Sequence, residues 1–190
     1  MSDAGLDIGL FGGSFNPPHL GHLALARAAR DGLGLAEVRW LPAGQPWQKA
    51  GATLAPASDR AAMVAALIAG EPGMVLDELE LRRAGPSYTI DTVEALAAAT
   101  PAARWWLILG QDQHARLPTW HRASELLARV HLAVAARDGV APHGVTAIAM
   151  PRTDISATAV RAAVARGTDA TPLVGAAVAR YIEEHHLYRG

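Results

Sequence analysis

Along the chain, short apolar runs alternate with longer stretches whose apolar positions recur every three to four residues. Runs of the first kind read as buried strands and stretches of the second kind as amphipathic helices. Residues 6–11 form the first run, bounded by Gly12 and Gly13, and glycines of this kind punctuate element ends. Residues 20–31 then carry leucine and alanine on one side, with Arg27 and Arg30 free for the other. The alternation continues. Strands are predicted over 38–41, 75–81, 105–110, 130–137 and 146–150. Helices are predicted from a Ser58-Asp59 cap to Ala69, over 88–99, within 117–129 after Pro118, and over 156–166 and 173–185. Residues 44–56 read as a Gly- and Pro-rich loop, with Trp47 and Lys49 in its middle.

Strands separated by helices of this length imply βαβ units and a parallel sheet. The expected fold is α/β, a doubly wound parallel sheet of Rossmann-like form. Ligands then lie at the carboxyl ends of the strands, where the strand order switches. That rule puts residues 12–22, 110–112 and 151–161 on one rim. A length of 190 residues fits one domain, 1–190.

Composition narrows the function. Apolar residues make up 51% of the chain, but much of that is alanine, so core volume is smaller than the figure suggests. A net charge of -1 gives no electrostatic case for nucleic acid or an anionic membrane surface. The absence of cysteine excludes disulfides, thiolate zinc sites and cysteine nucleophiles. The first ten residues have neither a basic region nor a long apolar stretch, so no secretory signal is expected. The longest uncharged apolar run, residues 61–70, is too short to span a bilayer. A cytoplasmic protein is expected, and a homo-oligomer is compatible with the sequence.

The turn at 12–22 concentrates the candidate chemistry. Gly12 and Gly13 can adopt backbone angles closed to other residues and leave room for a ligand. Pro17 and Pro18 stiffen the turn. The helix after them offers free N–H groups and a positive dipole end, a seat for phosphate. His19 and His22 share one face of that helix start and can donate to phosphoryl oxygens, charged where anions surround them. The pattern is neither a Walker loop nor GxGxxG. A His-x-x-His pair can bind zinc, but no third ligand in a fitting position is evident.

"GGSFNPPHLGH" resembles the HxGH signature of the nucleotidylyltransferase superfamily, and "ISATAVR" resembles its second signature, ISSTxxR. "LPAGQPWQK", "PSYTIDT", "GQD", "LPTWH" and "YIEEHHLYRG" are similar to the bacterial nicotinate-nucleotide adenylyltransferase branch, over nearly the whole chain. The resemblance implies adenylyl transfer from ATP to nicotinate mononucleotide, with Mg2+ held mainly by phosphates and water. It implies catalytic roles for His19, His22 and Arg161. It implies ATP contacts from Gly12, Gly13, Ser14, Phe15, Gly21, Gly110, Asp112, Ile155, Ser156 and Thr158. Lys49, Ser87, Tyr88, Thr89, Trp120 and His121 fall to the mononucleotide, with the pyridine enclosed by the SYT and TW segments.

Plainer readings stand beside these. Trp120 could be a core aromatic, Ser87 or Thr89 a helix cap, Asp112 an N-cap in a polar turn, Ser156 a cap followed by a surface arginine, and Lys49 an exposed loop lysine. The chain also departs from the family. Ser14 and Asn16 stand where the family often has Thr and Asp, so Asn16 is not expected to serve as a metal carboxylate. Ala157 replaces the second serine of ISSTxxR. The nearest rival is the pantetheine-phosphate adenylyltransferase, whose substrate needs no aromatic-lined pocket. A nucleotide sensor without turnover predicts loss of the histidine pair or the terminal arginine, and both are present.

Overall fold

The computed structural model describes residues 5–46, 54–136, 143–151 and 153–189. Strands β1 (Asp7–Gly13), β2 (Glu37–Pro42), β3 (Met74–Leu76), β4 (Arg104–Leu109), β5 (His131–Ala135) and β6 (Thr146–Ile148) form one sheet in the order β3-β2-β1-β4-β5-β6. Every pairing is parallel. The chain winds outward from β1 to β3, then returns to the other side of β1 with β4. This is the expected doubly wound α/β sheet, with its switch point between β1 and β4.

The helices are α1 (Leu20–Leu33), α2 (Ala57–Ile68), α3 (Thr89–Ala99), α4 (Gln111–Arg116), α5 (Ala123–Leu127), α6 (Ala157–Ala165), α7 (Thr171–Val174) and α8 (Ala176–Glu184). Alternating strand residues face opposite ways, so the sheet supports two cores. Phe11, Val38, Trp40 and Ile108 pack with residues of α1, α2, α6 and α8. Ile8, Leu10, Leu107 and Leu109 pack with Ile90, Val93 and Leu96 of α3 and Leu126 of α5. Gly9 lies on the first face. A Cβ there would come within 2.8 Å of Ile108 Cδ1 and 2.9 Å of Leu35 Cδ1, so a larger residue would force those side-chain ends to shift.

Four expected elements change. The strand expected over 75–81 runs from Met74 and stops at Leu76. Asp77 ends it: its N–H still donates to Trp40 O, but its Oδ1 takes the Leu79 N–H and turns the chain. α2 begins at Ala57, after Pro56, with no side-chain cap, so Ser58 and Asp59 lie inside it. The helix expected over 173–185 is two helices, broken by Gly175 at φ 80°, a conformation open to glycine. The segment 117–129 holds a 3₁₀ turn, Leu117–Thr119, before α5. Helix α4 has no counterpart in the expectation.

Candidate active site

All three expected rim segments follow sheet strands, β1, β4 and β6, at their carboxyl ends. In the turn after β1 the left-handed residue is Phe15, at φ 45°, and not Gly12 or Gly13. The glycines supply space instead. A Cβ on Gly13 would stand 3.2 Å from the Phe15 ring, and one on Gly12 would meet nothing closer than 3.9 Å. Phe15 is buried and sets its ring edge-on to Phe11 and to His22, with centroids 5.6 and 5.1 Å apart.

The two histidines cap α1 for each other. His22 N–H donates to His19 Nδ1 at 3.3 Å, and His19 N–H donates to His22 Nδ1 at 3.1 Å. Their rings stack with centroids 3.6 Å apart. Since each Nδ1 accepts, the proton of the neutral ring sits on Nε2, and each histidine carries one Nε2–H donor. Burial pushes the His19 imidazole down to about 4 from its ordinary 6.5. His19 is therefore a neutral ring at pH 7. Protonation would also destroy its cap. Gly21 between them leaves little room: a Cβ there would lie 3.0 Å from both His19 Nδ1 and Thr153 Oγ1.

Arg161 arrives from the far end of the chain. Ser156 caps α6, its Oγ accepting from Ala159 N–H at 3.1 Å. Arg161, just over a turn into that helix, donates from Nη1 to Asn16 O at 2.7 Å and from Nη2 to Thr158 Oγ1 at 3.3 Å. Gly12, Gly13, Ser14, Phe15, His19, His22, Ile155, Ser156, Thr158 and Arg161 line one cavity of about 730 Å³. A second cavity of about 370 Å³ shares His19, His22, Asp112 and Ile155 with it and adds Gly21 and Gly110. Gly110, not Asp112, is the N-cap of α4.

The same large cavity is lined at α3 by Ser87 and Thr89, and by Trp120. Trp120 is partly buried against the second core, so it meets both readings of it, and its buried Nε1 has no hydrogen-bond partner among the described residues. Tyr88 and His121 do not line the cavity; they stack on each other with centroids 4.2 Å apart. Trp47 and Lys49 lie outside the described residues. Neither Ser87 nor Thr89 caps α3, whose N-cap is Tyr88, with no side-chain capping bond to the helix. Ser87 Oγ instead accepts from Gly44 N–H at 3.0 Å and Gln45 N–H at 3.3 Å.

Three residues that hold the site together escape sequence reasoning. Glu80 lines the cavity, buried, and accepts from Thr92 Oγ1 at 2.8 Å and from the Ser87 hydroxyl. Burial pushes its carboxyl up, and the two hydroxyls with Arg83 oppose that. Arg60 is 1% exposed and donates to three carbonyls, of Ala55 (3.0 Å), Ser14 (2.8 Å) and Gly44 (3.3 Å). Its signal was available: it shares helical spacing with buried Met63, Val64 and Leu67, a lone charge on an apolar face. Asn16, read only as a missing carboxylate, is buried in the turn and bonded on both its oxygens. Among the described residues no three of His, Cys, Asp and Glu are grouped to hold a metal ion.

The family model described as cytidylyltransferase-like matches residues 10–163. The chain belongs to that family. The match runs from β1 into α6 and so contains both signatures. Within the family, the chain is 51% identical over 95% of its length to a Methylibium petroleiphilum protein named "Probable nicotinate-nucleotide adenylyltransferase", covering 92% of that protein. A Laribacter hongkongensis protein of the same name is 46% identical, with 96% and 94% covered. These relatives put the chain in the nicotinate-nucleotide adenylyltransferase branch. The fold is shared with Plasmodium falciparum nicotinic acid mononucleotide adenylyltransferase in complex with NaAD: TM-score 0.79, 17% identity, and 96% and 97% of the two chains covered. Among the described residues no helix is long and apolar enough to cross a membrane.

Proposed function

We propose that this chain transfers the adenylyl group of ATP to nicotinate mononucleotide, giving deamido-NAD and pyrophosphate in NAD biosynthesis. The observation that carries this reading is the single cavity in which His19, His22 and Arg161 meet Ser87, Thr89 and Trp120. One end suits phosphates and the other suits a flat ring.

The 5′-phosphate oxygen of the mononucleotide attacks the α-phosphorus of ATP in line, and the bond to the β,γ-pyrophosphate breaks. The nucleophile is already anionic, so no general base is needed, and catalysis is positioning plus charge stabilisation. The His19 and His22 Nε2–H groups and the Arg161 guanidinium donate to oxygens whose charge grows in the transition state. The N-termini of α1 and α6 add their free N–H groups and dipoles. Asp112, the exposed carboxylate on the rim of both cavities, would help hold a Mg2+ carried mainly by the ATP phosphates and water, and that ion would offset charge on the phosphates. Trp120 stacks on the electron-poor pyridine. The first N–H groups of α3 face the nicotinate carboxylate, where an amide NH2 would set donors against donors. Both substrates are intracellular metabolites, which fits a cytoplasmic enzyme.

The test is pyrophosphate release from ATP with nicotinate mononucleotide, nicotinamide mononucleotide and phosphopantetheine side by side. The acid mononucleotide should dominate kcat/KM. Equal values for acid and amide would remove the donor-lined pocket, and turnover of phosphopantetheine alone would replace the substrate.

A further inference from the structure

The two ends of the chain meet on Asn16, a residue that the transfer reaction as described does not use. Asn16 is 3% exposed in the turn after β1. Its Oδ1 accepts two hydrogen bonds, from Ala55 N–H at 3.0 Å and from the Tyr188 hydroxyl at 2.8 Å. Its main-chain oxygen accepts from Arg161 Nη1 at 2.7 Å. Tyr188 lies 172 positions further along the chain. Its backbone stands at φ 60°, the left-handed region that a residue with a Cβ enters only against resistance. The segment after α8 thus turns inward and delivers one phenol to one amide.

That amide sits where the site is assembled. Arg161 uses two of its donors on fixed partners, Asn16 O and Thr158 Oγ1, which sets the plane of its guanidinium toward the cavity. Arg60 holds the neighbouring Ser14 O and the carbonyl of Ala55. The Asn16 side chain therefore ties the turn that bears His19 to residue 55, at the described end of the loop before α2. The phenol supplies one of the bonds that hold it. Burial holds the Tyr188 hydroxyl well above the ordinary tyrosine range, so it remains a neutral donor wherever the enzyme works.

We propose that Tyr188 is a positioning residue for adenylyl transfer: through Asn16 it holds the β1–α1 turn and the Arg161 guanidinium in the geometry the phosphates require. It acts through Asn16 and touches no substrate. This rests on the transferase reading above, and the measurements are chosen to fail separately from it.

Tyr188→Phe removes one oxygen and leaves the ring. It should lower kcat about tenfold while KM for ATP and for the mononucleotide stay within about twofold. Tyr181→Phe is the control. Tyr181 joins α8 to α2 through Asp59 at 2.9 Å and does not touch the turn. It should match Tyr188→Phe in melting temperature and keep wild-type kcat. Asn16→Asp retains the Oδ1 acceptor and should keep Tyr188 coupled, whereas in Asn16→Ala the further change Tyr188→Phe should cost nothing more. Independently of turnover, Tyr188→Phe should shift the Arg161 side-chain 15N resonances and speed hydrogen exchange at the Ala55 amide, and Tyr181→Phe should do neither. A kcat loss shared equally by both tyrosine variants would overturn the proposal, as would unchanged Arg161 and Ala55 signals in Tyr188→Phe. A wild-type protein that releases no pyrophosphate with nicotinate mononucleotide, but whose Arg161 and Ala55 signals respond only to Tyr188→Phe, would sink the transferase reading and leave the link standing.

Discussion

The two ends of the large cavity are built in different ways. At the phosphate end the histidines rest on one local device: within four consecutive residues, His19 and His22 cap the helix that presents them, while Arg161 is brought to the same turn from 145 positions away. The backbone N–H groups that need caps and the rings that need fixed tautomers satisfy each other. The ring end has no such device. Ser87 is held by Gly44, Gln45 and Glu80, and Trp120 comes from a 3₁₀ turn beyond β4. Charge stabilisation needs donors fixed before the reaction, and a short turn fixes them at low conformational cost. A ring pocket needs only area and shape, which distant segments can supply.

The largest test of this contrast is His22→Ala. It removes an Nε2–H donor from the phosphates and leaves His19 N–H without its acceptor. We expect kcat to fall by about 10² or more, as for loss of one preorganised donor, with KM for ATP little changed. Single-turnover kinetics with both substrates saturating would check it. Near-normal turnover would make the pair a helix cap and nothing else.

The next effect is on stability, and His19 supplies it. Its folded pKa is about 4 against an ordinary 6.5. The unfolded chain therefore binds the extra proton first, and folding stability is lost as pH falls through the window from 6.5 to 4. The full loss is on the order of 3 kcal/mol. Urea unfolding at several pH values, for wild type and His19→Asn, would read it. A variant with the same slope as wild type across this window would assign the acid sensitivity to other groups. Above pH 6.5 the term is flat.

Trp120→Ala acts at the ring end. A stacking contact is worth about 0.5–1.5 kcal/mol beyond area burial, and lost burial adds to it, so a total of about 2 kcal/mol in kcat/KM is expected. The loss should lie in KM for the mononucleotide, with KM for ATP unchanged, and Trp120→Phe should recover part of it. A lower melting temperature with both KM values unchanged would mean that Trp120 belongs to the second core only.

The same contrast explains what could be read in the sequence. The doubly wound sheet, its rim and the histidine pair were legible, because strand runs, helical spacing and a histidine pair are local patterns, whereas the roles of Ser156, Thr158 and Arg161 at the same end came only from resemblance to a family. At the ring end, Ser87, Thr89 and Trp120 were reached only by resemblance to a family, and Tyr88 and His121 turn to each other and not to the cavity. Glu80 and Asn16 carry no local signal, since their partners are 12 and 39 positions away. The turn at Asp77 misled because its Asx bond competes with a strand that "VLDELEL" otherwise suggests. Gly175 hid in a helical pattern because a single glycine is tolerated there, and only its φ of 80° shows the break.

The smallest expected effect is that of Ser87→Ala. Ser87 is buried, its Oγ accepts two amides of the Gly44–Gln45 turn, and its proton goes to Glu80. The hydroxyl thus offers the cavity little, and its work is to fasten the turn to the start of α3. Removing it strands two part-buried N–H groups, at a cost of about 1–2 kcal/mol in unfolding free energy. The mononucleotide KM should rise only slightly, since the helix N-terminus and Trp120 remain. Glu80→Gln keeps an oxygen acceptor for Thr92 and removes a buried charge, so alone it should be milder still. If the three residues act as one unit, Ser87→Ala combined with Glu80→Gln should cost less than the two separate changes added together, because the second loses a partner already gone. Urea midpoints of the four proteins at constant slope would decide it. Strict additivity would mean that Glu80 and Ser87 hold the ring end independently, and the pocket wall would then have two supports rather than one.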